Sequence, residues 1–499
     1  MSDALFWSSL LLLVASTVWT IWRARGAITA AVLVPLAWLI LIPIPVLIRP
    51  WVITPQSLFP EGFTGPAREH LYISMAIANL GFVGFQWLIL SSWFKSLQAR
   101  TVAFFAARER PRAGRDGMND SLLRKWVIGL TLIAVALAVV HLVLMPRVPA
   151  WDLVTGFSNP LQPNYDREAA DKFLPAPTIV RYIFNWNQGI VFPILFALTV
   201  LIRWRPLAIF VGVFGFIYVT STLEKFPSLL FIAAPFIAMA VRDNRPIWSR
   251  LVLGGLALSL LGPLAINQGP GISTAVHKAL HDVPPASSTP VYDPTITTSA
   301  PGCEIFVASP SVPFDWRNIP ASLSDIVGRR ILVVPAETTY GWFAYFPAQH
   351  PFLSGSGWAP WKVLSKSYRN PANLVGLWMY CGHELTLPTV SAYGSIIADG
   401  WAELGYVGVV LAALGIVFFG LVLELIRGFL SKPFLIACYG PSILLFATLP
   451  PRAGVLATIV SSGLWLIPVL CLLFLVSEGL SRRRMGAAPV AAPAGALGR

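Results

Sequence analysis

Charge is scarce in this chain: Asp, Glu, Lys and Arg make up 12% of its 499 residues, about half the share usual in soluble domains. Cysteine is scarcer, with four residues. No CxxC pair or His-rich run is present, so a zinc site lacks its usual ligand spacing. Asp-x-Asp, a Gly-rich P-loop, a Gly-x-Ser-x-Gly elbow and His-Glu-x-x-His are all missing. Divalent-metal glycosyl transfer, nucleotide hydrolysis and serine or zinc hydrolysis therefore have no motif support. No metal and no cofactor is expected.

What is abundant is apolar: 56% of residues are hydrophobic and the mean hydropathy is +0.69. Such a chain cannot cover itself with polar surface in water, and it reads as an all-α polytopic membrane protein. Hydrocarbon about 30 Å thick needs roughly 20 apolar residues per helix. Runs of that order recur at 4–22, 27–48, 71–94, 126–145, 182–202, 206–221, 227–241, 251–266, 404–426, 433–449 and 453–477, about eleven transmembrane helices. The first run lacks a basic leading segment and is followed at once by Arg23 and Arg25, so it reads as a retained helix rather than a signal peptide.

Short loops rich in Lys and Arg stay cytoplasmic. Arg23/Arg25, the eight Lys and Arg from Lys95 to Lys125, Arg203/Arg205, Arg242/Arg245/Arg250, Arg427/Lys432 and Arg482–Arg484 all fall on one side of an eleven-span arrangement. That places the N-terminus outside and the C-terminus inside. The net charge of +13 is then an orientation signal, and no nucleic-acid partner is implied.

The same arrangement divides the chain into four parts. Residues 1–266 hold helices 1–8 with an external loop at 146–181; 267–403 form a large external loop region; 404–484 hold helices 9–11; 485–499, rich in Ala, Pro and Gly, read as a disordered cytoplasmic tail. The large loop opens on an irregular Pro/Ser/Thr-rich stretch and becomes aromatic later. It contains Cys303 and Cys381, for which a disulfide in an oxidising compartment and two separate thiols are both open readings. Cys438 and Cys471 fall inside spans and read as small apolar residues.

Polar residues near the membrane are candidate functional groups. Glu224 and Lys225 stand where two apolar runs meet on the outer side; a plain turn with one ion pair competes with an anion-lining role for Lys225. Arg452, in a tight outer connection, either snorkels or binds substrate. Arg181, followed by Asn185, Asn187 and Gln188, makes a polar face at the start of the fifth span. That face suits either helix–helix hydrogen bonding or a sugar-binding cleft.

Two stretches carry a family resemblance. RRILVVPAETTYGWFAYFP (329–347) has Arg330 and Gly341 at an Arg-x10-Gly spacing. SAYGSIIADGWAELGYVGVVLAALG (391–415) runs from an amphipathic external helix through Glu and Gly into a late span. In these the chain resembles the Wzy-type O-antigen polymerases, bacterial oligosaccharide repeat-unit polymerases of the O-antigen ligase-like superfamily. The companion Arg-x10-Gly spacing is absent from the earlier loop.

The resemblance implies a GT-C-like fold in the bacterial inner membrane and a metal-independent glycosyltransferase. Its expected substrate is undecaprenyl-diphosphate-linked oligosaccharide, joined at the periplasmic face into O-antigen or exopolysaccharide. Membrane lipids, and flippase and chain-length-regulator proteins, belong to the expected partners. Fixed cations near the departing diphosphate are expected from Arg330, Arg452, Lys225 and Arg181, with Arg329, Gly341 and Tyr340 lining the substrate. Tyr340, Trp342, Phe343 and Tyr345 would anchor at the interface or stack on sugar faces. A general base for the attacking hydroxyl is sought first in Glu403 and second in His383; a helix N-terminal charge is the other reading of Glu403, and Asp399, one turn earlier, shares its face. A ligase passing finished polymer to a lipid acceptor, a transporter and a non-catalytic scaffold remain alternatives.

Overall fold

The computed structural model describes residues 2–51, 59, 62–106, 116–145, 148–151, 174–259, 333–358, 368–381, 392, 394–448 and 453–486. The described residues are helical with one isolated antiparallel bridge, Ala27 to Pro246. Six helices are long and apolar enough to cross a membrane, and five shorter apolar helices fall on the remaining expected spans. The architecture is that of an all-α membrane protein.

In chain order, α1 is Ser2–Arg23, α2 Ala30–Leu41, α3 Pro43–Ile48, α4 Gly65–Leu90, α5 Ser92–Ala106 and α6 Asp116–Leu144. Then come α7 Thr178–Trp186, a π turn Asn187–Val191, α8 Phe192–Leu201, α9 Arg205–Thr220, α10 Lys225–Arg242 and α11 Arg250–Ser259. After the undescribed stretch follow α12 Val334–Tyr345, α13 Pro371–Cys381, α14 Ile396–Arg427, α15 Pro433–Thr448 and α16 Leu466–Gly486. Basic turns meet at one end of the bundle: the Ala27–Pro246 bridge joins those after α1 and α10, Gln98 of α5 bonds the Glu424 carbonyl near the end of α14, and Arg242, Arg245 and Arg427 line one pocket. Exposed tryptophans mark both ends: Trp22, Trp93 and Trp248 at the basic end, Trp51 and Trp151 at the other. Tryptophan collects at both faces of a bilayer in this way because its ring is apolar and its N–H is wet.

Small residues let the helices approach closely. Gly440 of α15 faces the Ala238 backbone of α10, leaving 2.9 Å for a Cβ, and Gly81 and Gly420 do the same between α4 and α14. Hydrogen bonds lock the N-terminal helices: Gln86 accepts from Ser16 at 2.6 Å and donates to Thr17 and to the Ala31 carbonyl. Trp38 donates to Asn79 at 3.0 Å. Inside lipid such bonds add to dispersion where the hydrophobic effect does not drive helix association.

The stretch around Val334–Tyr345, expected as a surface, is a buried helix. Glu337 receives Arg49 through both Nε (3.0 Å) and Nη2 (2.6 Å), and the two side chains are 5% and 1% exposed. Tyr340 donates to the Thr64 carbonyl, Trp342 donates to the Ala392 carbonyl, and Phe343 stacks on Trp401. All of these rings, with Tyr345, lie in the core. They tie α12 to the start of α4 and to α14 instead of facing an interface.

Candidate functional site

The site is built on a break in α14. Leu404 (φ −139°, ψ 20°) and Gly405 (φ 59°, ψ −139°) interrupt the helix. Gly400 and Gly408, about 12 Å apart along an unbroken helix, are in contact, so that a Cβ on Gly400 would stand 2.5 Å from the Gly408 carbonyl oxygen. The chain therefore turns sharply. Residues 396–403 form a short helix folded across the end of the long segment 406–427, away from the basic end. Gly405 makes the turn because its backbone angles are nearly closed to residues with a Cβ.

Asp399 and Glu403 are one turn apart on this short helix and share a face. The helix ends on the loop 353–357, Leu-Ser-Gly-Ser-Gly. Leu353 and Ser354 donate their N–H groups to the Ala402 and Glu403 carbonyls, each at 2.9 Å, supplying partners to carbonyls that have none inside the helix. Gly355 and Gly357 then donate to Glu403 Oε2 at 2.9 and 3.4 Å. These two N–H groups, on either side of Ser356, converge on one oxygen and form a nest that holds an anion. The other carboxylate oxygen, Oε1, is buried and has no hydrogen-bond partner among the described residues. It lies against Gly357, where a Cβ would overlap it.

Asp399 is half-buried, and its carboxylate lies against Gly454, at a point where any Cβ would collide with it. Tyr368 completes the group. Burial raises the pKa of its hydroxyl, and Tyr182, Asp399 and Glu403 push it up further, so the phenol stays protonated and can donate. Tyr182 lies on α7 parallel to Trp186, with ring centroids 6.3 Å apart. Trp186 in turn donates to the Val460 and Ser461 carbonyls at 3.0 Å. Four other pieces of chain thus meet around the two carboxyl groups. Chemically the arrangement offers a fixed carboxylate with one unpartnered oxygen, a second carboxylate and a phenolic donor. That set suits proton transfer from a hydroxyl. Among the described residues no three His, Cys, Asp or Glu gather as metal ligands.

The expected residues distribute as follows. Glu403 is central to the site. Arg181 precedes Tyr182 on α7, and its Nε donates to the Ala176 carbonyl at 3.0 Å. Arg452 lies outside the described residues, two positions before Gly454. Arg329, Arg330, His383 and Cys303 also lie outside them, as do the side chains of Lys225 and Cys381 and most of the C-terminal tail. Tyr340 is buried on α12. Gly341 serves close packing, since its missing Cβ leaves room for Met379 of α13. Asn187 and Gln188 make helix–helix bonds, to the Ala134 and Tyr218 carbonyls. Sequence reasoning missed Gly355, Gly357, Tyr368, Tyr182 and Gly454. The Ser-Gly-Ser-Gly run was the available signal, because glycines at alternate positions let two N–H groups point at one anion. No family model, curated protein or solved structure matches the chain.

Proposed function

We propose that this chain polymerises undecaprenyl-diphosphate-linked oligosaccharide repeat units into O-antigen or exopolysaccharide. The reaction takes place at the periplasmic face of the inner membrane. In this reading all eleven apolar helices cross the bilayer in a GT-C-like arrangement, and the basic end is cytoplasmic. Glu403 then stands on the outer side.

The observation that carries the reading is Glu403: one oxygen is held by two backbone N–H groups, and the other is buried with no hydrogen-bond partner among the described residues. A carboxylate fixed in that way suits a general base, because its orientation is set before substrate arrives. The acceptor sugar hydroxyl gives its proton to Glu403 Oε1 as its oxygen bonds to the anomeric carbon of the growing chain. The bond from that carbon to the diphosphate breaks, and undecaprenyl diphosphate leaves with the electron pair. Tyr368 donates to a sugar oxygen beside the carboxylates. Arg181, Arg452, Arg330 and Lys225 are the cations proposed to meet the developing diphosphate charge. The resemblance in 329–347 and 391–415 supports the same chemistry.

A ligase uses the same donor, and one experiment separates the two. Deleting the gene and analysing lipid-linked saccharides should leave single repeat units on undecaprenyl diphosphate. Accumulation of long lipid-linked polymer instead would assign the chain to ligation, and an unchanged lipid-linked pool would remove it from this reaction.

A further inference from the structure

At the basic end, far from the carboxylates, two turns are laced together. The bridge between Ala27 and Pro246 joins residues 24–28 to 242–247, and Ile247 donates to the Gly26 carbonyl at 2.8 Å. The Arg245 N–H closes the second turn on the Ala240 carbonyl at 2.8 Å, with Asn244 in the left-handed region at φ 49°. With the end of α14 these turns enclose a pocket of about 230 Å³ lined by Ala27, Ile28, Arg242, Asn244, Arg245 and Arg427.

Its three guanidiniums are not equivalent. Arg242 pairs with Asp243 at 2.7 Å, and Arg427 with Glu424 at 3.3 Å. Glu424 is itself anchored by the Ala30 N–H at 2.6 Å. Arg245 has no ion pair among the described residues, although its charge joins the Arg242 hydrogen bond in holding the Asp243 carboxyl below the usual range. Three arginines against two carboxylates leave one positive charge. Three helices, α1, α10 and α14, end around it, and their carbonyl ends disfavour an anion, so the arginines are needed to make the pocket attractive to one. Orientation in the membrane explains why arginines lie at this end. It does not explain why three of them line one preformed concavity.

We propose that this pocket binds a phosphate group, carried by an anionic phospholipid headgroup or free in solution. Guanidinium donors match phosphate oxygens in planar pairs. Basic pockets between membrane helices recognise headgroups by the same chemistry. The volume is below the roughly 300–1,000 Å³ of pockets that hold drug-sized ligands, which fits a headgroup fragment. Trp22 and Trp248 are exposed, and Trp248 packs on Gly26 next to the pocket, as suits a site at headgroup depth.

The test uses the full chain in a neutral detergent, with melting temperature read against added short-chain phosphatidylglycerol and, separately, inorganic phosphate. Phosphatidylglycerol should raise the melting temperature of the wild type. Arg245→Glu should need about tenfold or more lipid for the same rise, since each basic residue near a membrane surface contributes a severalfold preference for anionic lipid. Lys95→Glu, an equal charge change on α5, should respond as the wild type does. Arg245 and Lys95 are both exposed, so neither change disturbs the core. A rise with lipid alone assigns the headgroup; a rise with inorganic phosphate as well assigns the phosphate group by itself. No rise with either probe, or the same response in the wild type and Arg245→Glu, or equal loss in Lys95→Glu, overturns the proposal.

Discussion

A buried carboxylate oxygen without a donor is costly, and Glu403 Oε1 persists because the N–H groups of Ser354, Gly355 and Gly357 hold the rest of that residue in place. The cost makes neighbouring glycines sensitive. Gly357→Ala would drive a Cβ into Oε1, and it should lower turnover at least tenfold with little change in the amount of folded protein; fluorescence-detected gel filtration and a polymerisation assay check both halves. The Arg49–Glu337 pair calls for a different experiment, because breaking a buried ion pair leaves one charge uncompensated. Arg49→Ala or Glu337→Ala should each cost about 3–5 kcal/mol, whereas Arg49→Met with Glu337→Leu should recover most of that loss. Melting temperatures of the three variants decide it, and single variants as stable as the wild type would refute the pair's structural role. At this scale the sequence was partly legible. Asp399 and Glu403 stand out by their i, i+4 spacing beside a span, while Gly355, Tyr368 and Tyr182 do not, since backbone N–H groups and residues brought in from distant helices leave no local pattern.

Among the elements, α14 is the one whose shape matters most to the site. A single apolar run reads as one span, and the expected start at residue 404 coincides with the break at Leu404 and Gly405. The sharpness of the turn was not readable, because it depends on Gly400 meeting Gly408 across the fold. Gly405→Ala should be strained by roughly 1–3 kcal/mol, as its φ of 59° with ψ of −139° is open almost only to glycine. It should also reduce turnover by moving Glu403 off its nest. A Gly405→Ala protein with wild-type turnover and melting temperature would show that the bend is not needed. For α12 the reading failed in an instructive way. Its Thr, Glu and aromatic residues look too polar for a core, yet Arg49, Thr64 and Ala392 take up the polar atoms of Glu337, Tyr340 and Trp342, and Thr338 bonds the Val334 carbonyl of its own helix. Polarity that is paired by remote partners cannot be told from polarity that faces water until the partners are known.

For the molecule as a whole, hydropathy carried most of the all-helical architecture, because lipid imposes span length directly on the sequence. Orientation is the part that labelling tests. In a background lacking the four native cysteines, a Cys at Ser287 should react with an impermeant thiol reagent in intact spheroplasts and a Cys at Gly117 should not; the reverse pattern would invert the arrangement and put Glu403 on the wrong side for a periplasmic reaction. The proposed reaction rests on Glu403, and Glu403→Gln is nearly isosteric and keeps an oxygen for the Gly355 and Gly357 N–H groups while removing the proposed base. The most direct measurement is polymerisation of undecaprenyl-diphosphate-linked repeat units by purified wild-type and Glu403→Gln protein, each shown to melt at the same temperature. The variant should be slower by about 10²- to 10⁴-fold, the usual contribution of a positioned general base; equal polymerisation rates in the two proteins would contradict the role assigned to this carboxylate.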